Sequence, residues 1–221
     1  MKTKILILLA AALANHALAQ GTFRNLNFEE TTLPYSTNPM GFASAAEAFP
    51  AWTVYFGPVP QTQVVYNGLT VTPNLWLWSR GFAPVPPLPA SFGLFSAVPS
   101  SIDSVSISLA QVGTIPDGVN SLSFETFGYF NANSVQMDFG GNLLPLELLS
   151  GPSTFFRTWR ADLGALAGQT GELRITAIYQ PDVPGTFRLD NLQFTNVPEP
   201  STWVLFLAGT ALLLWAKRRR V

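Results

Sequence analysis

The chain has 221 residues, of which 48% are apolar and only 11% charged; 17 Gly and 18 Pro make long uninterrupted helices unfavourable, while the length suffices for one domain with a real core. It holds no Cys, and its one His is His16, so disulfides, thiolate nucleophiles and Cys-ligated metals are excluded. The formal net charge of −1 hides a segregation: Lys2 and Lys4 open the chain, Lys217 to Arg220 nearly close it, and the stretch between carries six Arg and no Lys against all 13 acidic residues. That net-acidic middle argues against a nucleic-acid partner, which needs clustered positive charge to neutralise phosphates.

The first 19 residues read as a signal peptide. Lys2 and Lys4 form a basic start, and Ile5 to Leu13 is an apolar run too short to span a bilayer, which takes about 20 residues. Ala17 and Ala19 place small residues where signal peptidase requires them, so cleavage is expected before Gln20. Removal of the leader takes His16 with it. The mature chain then has no imidazole base or ligand, and catalysis is left to carboxylates, hydroxyls, Tyr and Arg.

From there to residue 196 the dominant signal is alternation with period 2, the mark of strands with one buried face. Strands are expected around 23–28 and 52–56. Leu69, Val71, Leu75 and Leu77 share one parity, and Trp76 and Trp78 the other. The stretch 79–100 carries Pro84, Pro86, Pro87, Pro89 and Pro99 and is expected to be a long loop with little ladder pairing. Val105, Ile107 and Leu109 alternate with serines, and Leu122 and Phe124 with Ser123 and Glu125. Further strands are expected around 134–139 and 154–160. Asp162 is a plausible N-cap for one helical turn over 163–167, stopped by Gly168. Leu173, Ile175 and Ala177 mark another strand, and the last is expected over 186–195. With many short strands and no internal linker or repeat, residues 20–196 read as one antiparallel β-sandwich, an all-β fold.

Two features of this sandwich carry chemistry. Trp76 and Trp78 face the same way on one strand. They form either a platform for the C–H faces of sugar rings or ordinary packing, since aromatics bury large areas in any sandwich. In the last strand, Phe187 and Leu189 have one parity, Leu192 and Phe194 the other. A strand that keeps all four inside needs a β-bulge at Asp190-Asn191.

The C-terminus has three parts: Pro198-Glu199-Pro200 in an extended segment, an apolar stretch from Trp203 to Ala216, and the basic Lys217 to Arg220. As a helix the apolar stretch is about 21 Å long, close to a bilayer core once the flanking residues and snorkelling basic stems are added. The basic cluster would hold the C-terminus in the cytoplasm and leave residues 20–200 outside the inner membrane.

This tripartite end, paired with the leader, resembles the PEP-CTERM sorting signal. The resemblance implies a bacterial envelope protein whose tail is cut near Pro198-Glu199-Pro200 by an exosortase, making the helix a transient anchor; the exported domain is then released or attached to surface material. Asn25-Leu26-Asn27-Phe28-Glu29, followed by Trp52, resembles the opening of jelly rolls of the carbohydrate-binding-module type. The stretches Asp162 to Thr170 and Phe187 to Leu192 resemble their late turn and closing strand. That resemblance implies a jelly-roll-like sandwich, and carboxylates at Glu29 and Asp190 that hold a structural Ca²⁺; the alternative is a solvated Asp-Asn pair at a strand irregularity. Together the two resemblances imply a non-catalytic envelope or matrix component with exopolysaccharide as partner. The alternative is a glycoside hydrolase, which needs only two carboxyl groups flanking the scissile bond.

Overall fold

Alternation becomes a two-layer stack of strands in the computed structural model, which describes residues 21–68, 74–82, 91–101, 105–128, 134–150, 155–178 and 185–196. The leader with Ala17, Ala19 and Gln20, the residues Leu69 and Val71, and the whole tail with Pro198, Glu199, Pro200 and the 203–216 stretch lie outside the described residues. The strands are β1 (Gly41–Ser44), β2 (Thr53–Phe56), β3 (Val59–Gln61), β4 (Gln63–Tyr66), β5 (Asn74–Ser79), β6 (Phe95–Ser101), β7 (Ile107–Thr114), β8 (Ser121–Phe127), β9 (Val135–Phe139), β10 (Asn142–Leu143), β11 (Leu146–Ser150), β12 (Phe156–Asp162), β13 (Thr170–Ala177), β14 (Gly185–Thr186) and β15 (Arg188–Thr195). One sheet of nine runs β1-β4-β5-β6-β15-β8-β12-β11, with β14 also on β6, and one of six runs β10-β9-β13-β7-β2-β3. The pairings are antiparallel except the short parallel contact of β4 with β5. The architecture is the all-β antiparallel sandwich that the alternation implies, jelly-roll-like as the resemblance implies.

The core lies between the sheets. Leu75, Leu77, Leu122, Phe124 and Leu189 meet Ile107, Leu109, Met137, Leu173 and Ile175 there. Trp76 and Trp78 take the other parity and sit on the outer face of the nine-stranded sheet with Val65 and Val98. The last strand, β15, is central, between β6 and β8. Its register against β8 shifts between Asp190 and Gln193, and Phe187, Leu189, Leu192 and Phe194 are all buried in the one core. The parity slip is therefore a bulge, as expected.

Three expectations are corrected. Residues 23–28 form turns, not a strand, because Asn25 and Phe28 have positive φ (51° and 57°), which interrupts an extended run. Side chains strap this segment down instead. The Gln111 amide donates to the carbonyl of Arg24 at 2.9 Å and accepts from its N–H at 2.6 Å. Trp52 Nε1 donates to the Asn25 carbonyl at 3.0 Å, and the Leu192 N–H to that of Leu26 at 3.0 Å. Within 79–100, residues 95–100 are the greater part of β6, an inner strand, not a loop. Pro99 is tolerated there because β14 and β15 part opposite it, at Phe187, so no ladder N–H is missed. Residues 163–167 form turns rather than a helical turn. Asp162 Oδ1 accepts the Gly164 N–H at 2.8 Å, and Gly164 and Gly168 take positive φ, which bends the chain before a helical hydrogen bond can repeat. The short helix α1 falls instead at Ala45–Ala48, in a run of strong helix formers.

The bulge makes Asn191 a test of backbone geometry, since its φ is 56°. Asn191→Val should destabilise the fold by about 1–2 kcal/mol, whereas Asn191→Gly should be close to neutral. Urea unfolding of both variants checks this; equal losses would show that the left-handed conformation is not the constraint.

Candidate functional site

The outer face of the nine-stranded sheet is where sequence and structure converge. Alternation along β15 sends Phe187 and Leu189 inward and Arg188 and Asp190 outward. Alternation along β8 sends Phe124 inward and Glu125 outward, and the register sets Asp190 opposite Glu125 and Arg188 opposite Phe127. On β5, two strands away from β15, the Trp76 and Trp78 rings stack at 5.5 Å with planes 12° apart.

This face is covered rather than bare. Trp76 is 6% exposed, and Trp78 is half-buried, with Phe82 edge-on at 5.8 Å and the Arg188 guanidinium 4.9 Å from its ring centre. Trp78 Nε1 donates to the Gly68 carbonyl at 3.1 Å. Phe92, fully buried, packs edge-on against Phe127 and Phe156. The chain that carries it then delivers two amides: Gly93 N–H donates to Asp190 Oδ2 at 3.1 Å, and Phe95 N–H to Glu29 Oε1 at 2.9 Å. Glu29 Oε1 lies 2.0 Å from where a Cβ on Gly93 would be, so a larger residue there would push the Glu29 carboxyl aside.

Glu29 and Asp190 thus bond amides of one strap, Phe95 and Gly93. Asp190 is 1% exposed, and its Oδ1 also accepts the Asn191 N–H at 2.7 Å. Burial pushes its carboxyl up to about 8; the two amide donors oppose the shift, and the neighbouring charges of Glu29 and Glu125 add to it. Arg188 is 2% exposed, and burial lowers it to about 10 while Asp190 acts the other way. Its Nη1 and Nη2 have no hydrogen-bond partner, nor have Trp76 Nε1 and Glu125 Oε2. Sequence alternation singled out the tryptophans and the bulge. It did not single out Arg188 or Glu125, each a charge at an outward-facing position of a central strand.

For Ca²⁺, the two carboxylates supply only part of the six to eight oxygens that the ion takes. Among the described residues no group of three or more acidic, His or Cys side chains gathers to hold a metal. Main-chain carbonyls or water would have to complete the shell.

Residues 196–220 match the PEP-CTERM protein-sorting motif. The motif points to export and to the cell envelope or surface. No curated protein matches the chain. Among solved structures, TmCBM61 in complex with β-1,4-galactotriose is 14% identical, with 80% of this chain and 99% of that one covered at a TM-score of 0.39. TmCBM27, a carbohydrate-binding module described for mannan recognition, is 11% identical over 73% and 98% at 0.35. The K1 cleaved adhesin domain of Lys-gingipain from Porphyromonas gingivalis W83 is 11% identical over 73% and 95% at 0.34.

The raised Asp190 carboxyl sets a pH dependence. Its folded-state value lies above its unfolded one, so the native state holds the proton more firmly. The stability this contributes is complete below about pH 4 and is lost as pH rises through about 8. Urea unfolding should therefore show a stability decline between about pH 5 and pH 8 that Asp190→Asn reduces. Parallel pH profiles for the two proteins would show that Asp190 does not titrate in that range.

Proposed function

We propose that the protein is an exported, exosortase-sorted envelope or matrix component, and that its sandwich binds polysaccharide, without catalysis, on the outer face of the nine-stranded sheet. The observation that carries the binding half is the stacked Trp76–Trp78 pair beside Arg188 and the carboxylates on one sheet face. Aromatic faces suit the C–H faces of sugar rings, and flanking charged groups suit hydroxyls. Trp78, half-buried where Trp76 is 6% exposed, offers the ligand the larger ring face. A glycan array run on the full chain in detergent, beside a reducing-sugar assay, tests the reading. Binding without turnover is expected, and Trp78→Ala should weaken it about 2- to 10-fold. Release of reducing ends would favour the hydrolase instead, for which the proton-holding Asp190 opposite Glu125 is the pertinent pair.

The sorting half rests on the match at residues 196–220. Signal peptidase is taken to cut before Gln20, and the 203–216 helix to anchor the chain in the inner membrane until an exosortase removes it. Pro198→Ala, Glu199→Ala and Pro200→Ala together should leave the protein uncut and membrane-held in a strain with the matching exosortase. Normal maturation of that triple variant would reduce the tail to a plain anchor.

A Ca²⁺ at Glu29 and Asp190 belongs to the same proposal in one form. The cation would replace the proton on Asp190, so it should raise the melting temperature at about pH 8.5 and do so less at about pH 6. Identical melting curves with Ca²⁺ and with chelator would leave the backbone amides as the carboxylates' only partners.

A further inference from the structure

Among the described residues, Arg188 is a buried cation without an ion-pair partner. Its side chain is 2% exposed, both terminal nitrogens lack a hydrogen bond, and the nearest carboxylate on its own strand, Asp190, is taken by the amides of Gly93 and Asn191. A charge in such a place is costly unless something compensates it. The ring of Trp78 offers a cation–π contact at 4.9 Å, which leaves the in-plane N–H donors free. Asp190 does little to neutralise it, since its carboxyl keeps its proton to about pH 8.

The other orphan atoms on this face complement it. Trp76 Nε1 is an unpaired donor on β5, and Glu125 Oε2 an unpaired acceptor on β8. Those strands are three spacings apart in the order β5-β6-β15-β8, about 14 Å, with Arg188 between them. A molecule that satisfied all three would bring an anion to the middle, an acceptor to one side and a donor to the other, over a length greater than one sugar ring. A neutral sugar has the hydroxyls but not the anion. A guanidinium with two free terminal nitrogens takes a planar carboxylate in a two-point fork.

We propose that Arg188 is the anchor for the carboxylate of an acidic polysaccharide, a uronate-containing chain, with Trp76 Nε1 and Glu125 meeting hydroxyls of the same chain. The inference rests on the polysaccharide-binding reading above and names its substrate class. Because Arg188 is covered, the carboxylate reaches it only with displacement of neighbouring side chains, so association is slow for a charged pair.

The test compares two acids, oligogalacturonate and oligomannuronate, with the same oligomers fully methyl-esterified, by titration calorimetry on the full chain in detergent. The esters keep the ring and lose the charge. At least one acid should bind about 10- to 100-fold tighter than its ester, the range for a hydrogen bond to a charged group. Arg188→Met, which keeps the stem and loses the charge, should abolish that preference; Arg188→Lys, a charge without the fork, should keep only part of it. If Arg188→Met does not fold, the acid-to-ester ratio of the unmodified protein decides alone. Equal affinity for acid and ester would overturn the anchor while leaving polysaccharide binding in place. No affinity for either acid, with a neutral glycan bound on the array, would overturn it likewise. An array without any bound glycan would overturn both readings.

Discussion

The fold depends on one irregularity, the bulge at Asp190-Asn191 in the central strand β15. Without it, a strand of strict period 2 would carry Leu192 and Phe194 to the face opposite Phe187 and Leu189. With it, all four side chains enter the core. Arg188 and Asp190 are left on the outer face. The same irregularity frees the Leu192 N–H from the ladder and gives it to the carbonyl of Leu26, joining the first described turns to the last strand. In a chain without Cys, this join does what a disulfide would do in many exported domains: it ties the beginning of the domain to its end. The Trp52 indole and the Gln111 amide reinforce it, each by bonding main-chain groups that no strand partner reaches.

How much of this was legible follows from what periodicity can see. Strands β8 and β13, and the first half of β7, alternate because one face meets the core, and for them parity alone gave the buried side. The bulge was legible too, as a phase slip between two apolar pairs. Residues 23–28 misled because Phe23, Leu26 and Phe28 are all buried, but by an irregular, turning segment rather than by a strand. For β6 the error ran the other way. Five prolines in 22 residues suggested a loop, yet Pro99 sits where β14 gives way to β15 and no N–H is wanted. Prolines weigh against a strand only where a partner demands the bond, and that demand is a tertiary fact.

The site was half legible for a related reason. The tryptophans announce themselves by type, and Asp190 by its place in the slip. Arg188 and Glu125 look like ordinary outward charges on a sheet with one wet face, which is the usual arrangement in antiparallel sandwiches. Here the outer face is overlaid by Phe92, Phe82 and the Gly93 strap, so Arg188 is buried after all and Glu125 half-buried with its Oε2 covered. A sequence pattern records which face a residue points to but not whether that face is later covered.

That cover has an energetic consequence for function. A sheet face with a stacked indole pair, an unpaired guanidinium and a carboxylate that keeps its proton is less stable than the same face packed with aliphatic side chains. Burying an ion singly, rather than as a pair, sacrifices stability in the free protein and returns it only when a counter-charge arrives. If the face takes an acidic chain, as proposed, its selectivity follows from that cost. Water can solvate Arg188 only by opening the aromatic cover, whereas a carboxylate gains the full strength of a charge-assisted bond at low local dielectric once inside. On the proposed binding, most of the discrimination between acidic and neutral chains would come from the cost of leaving Arg188 unpaired, and less from any contact that a neutral chain could imitate.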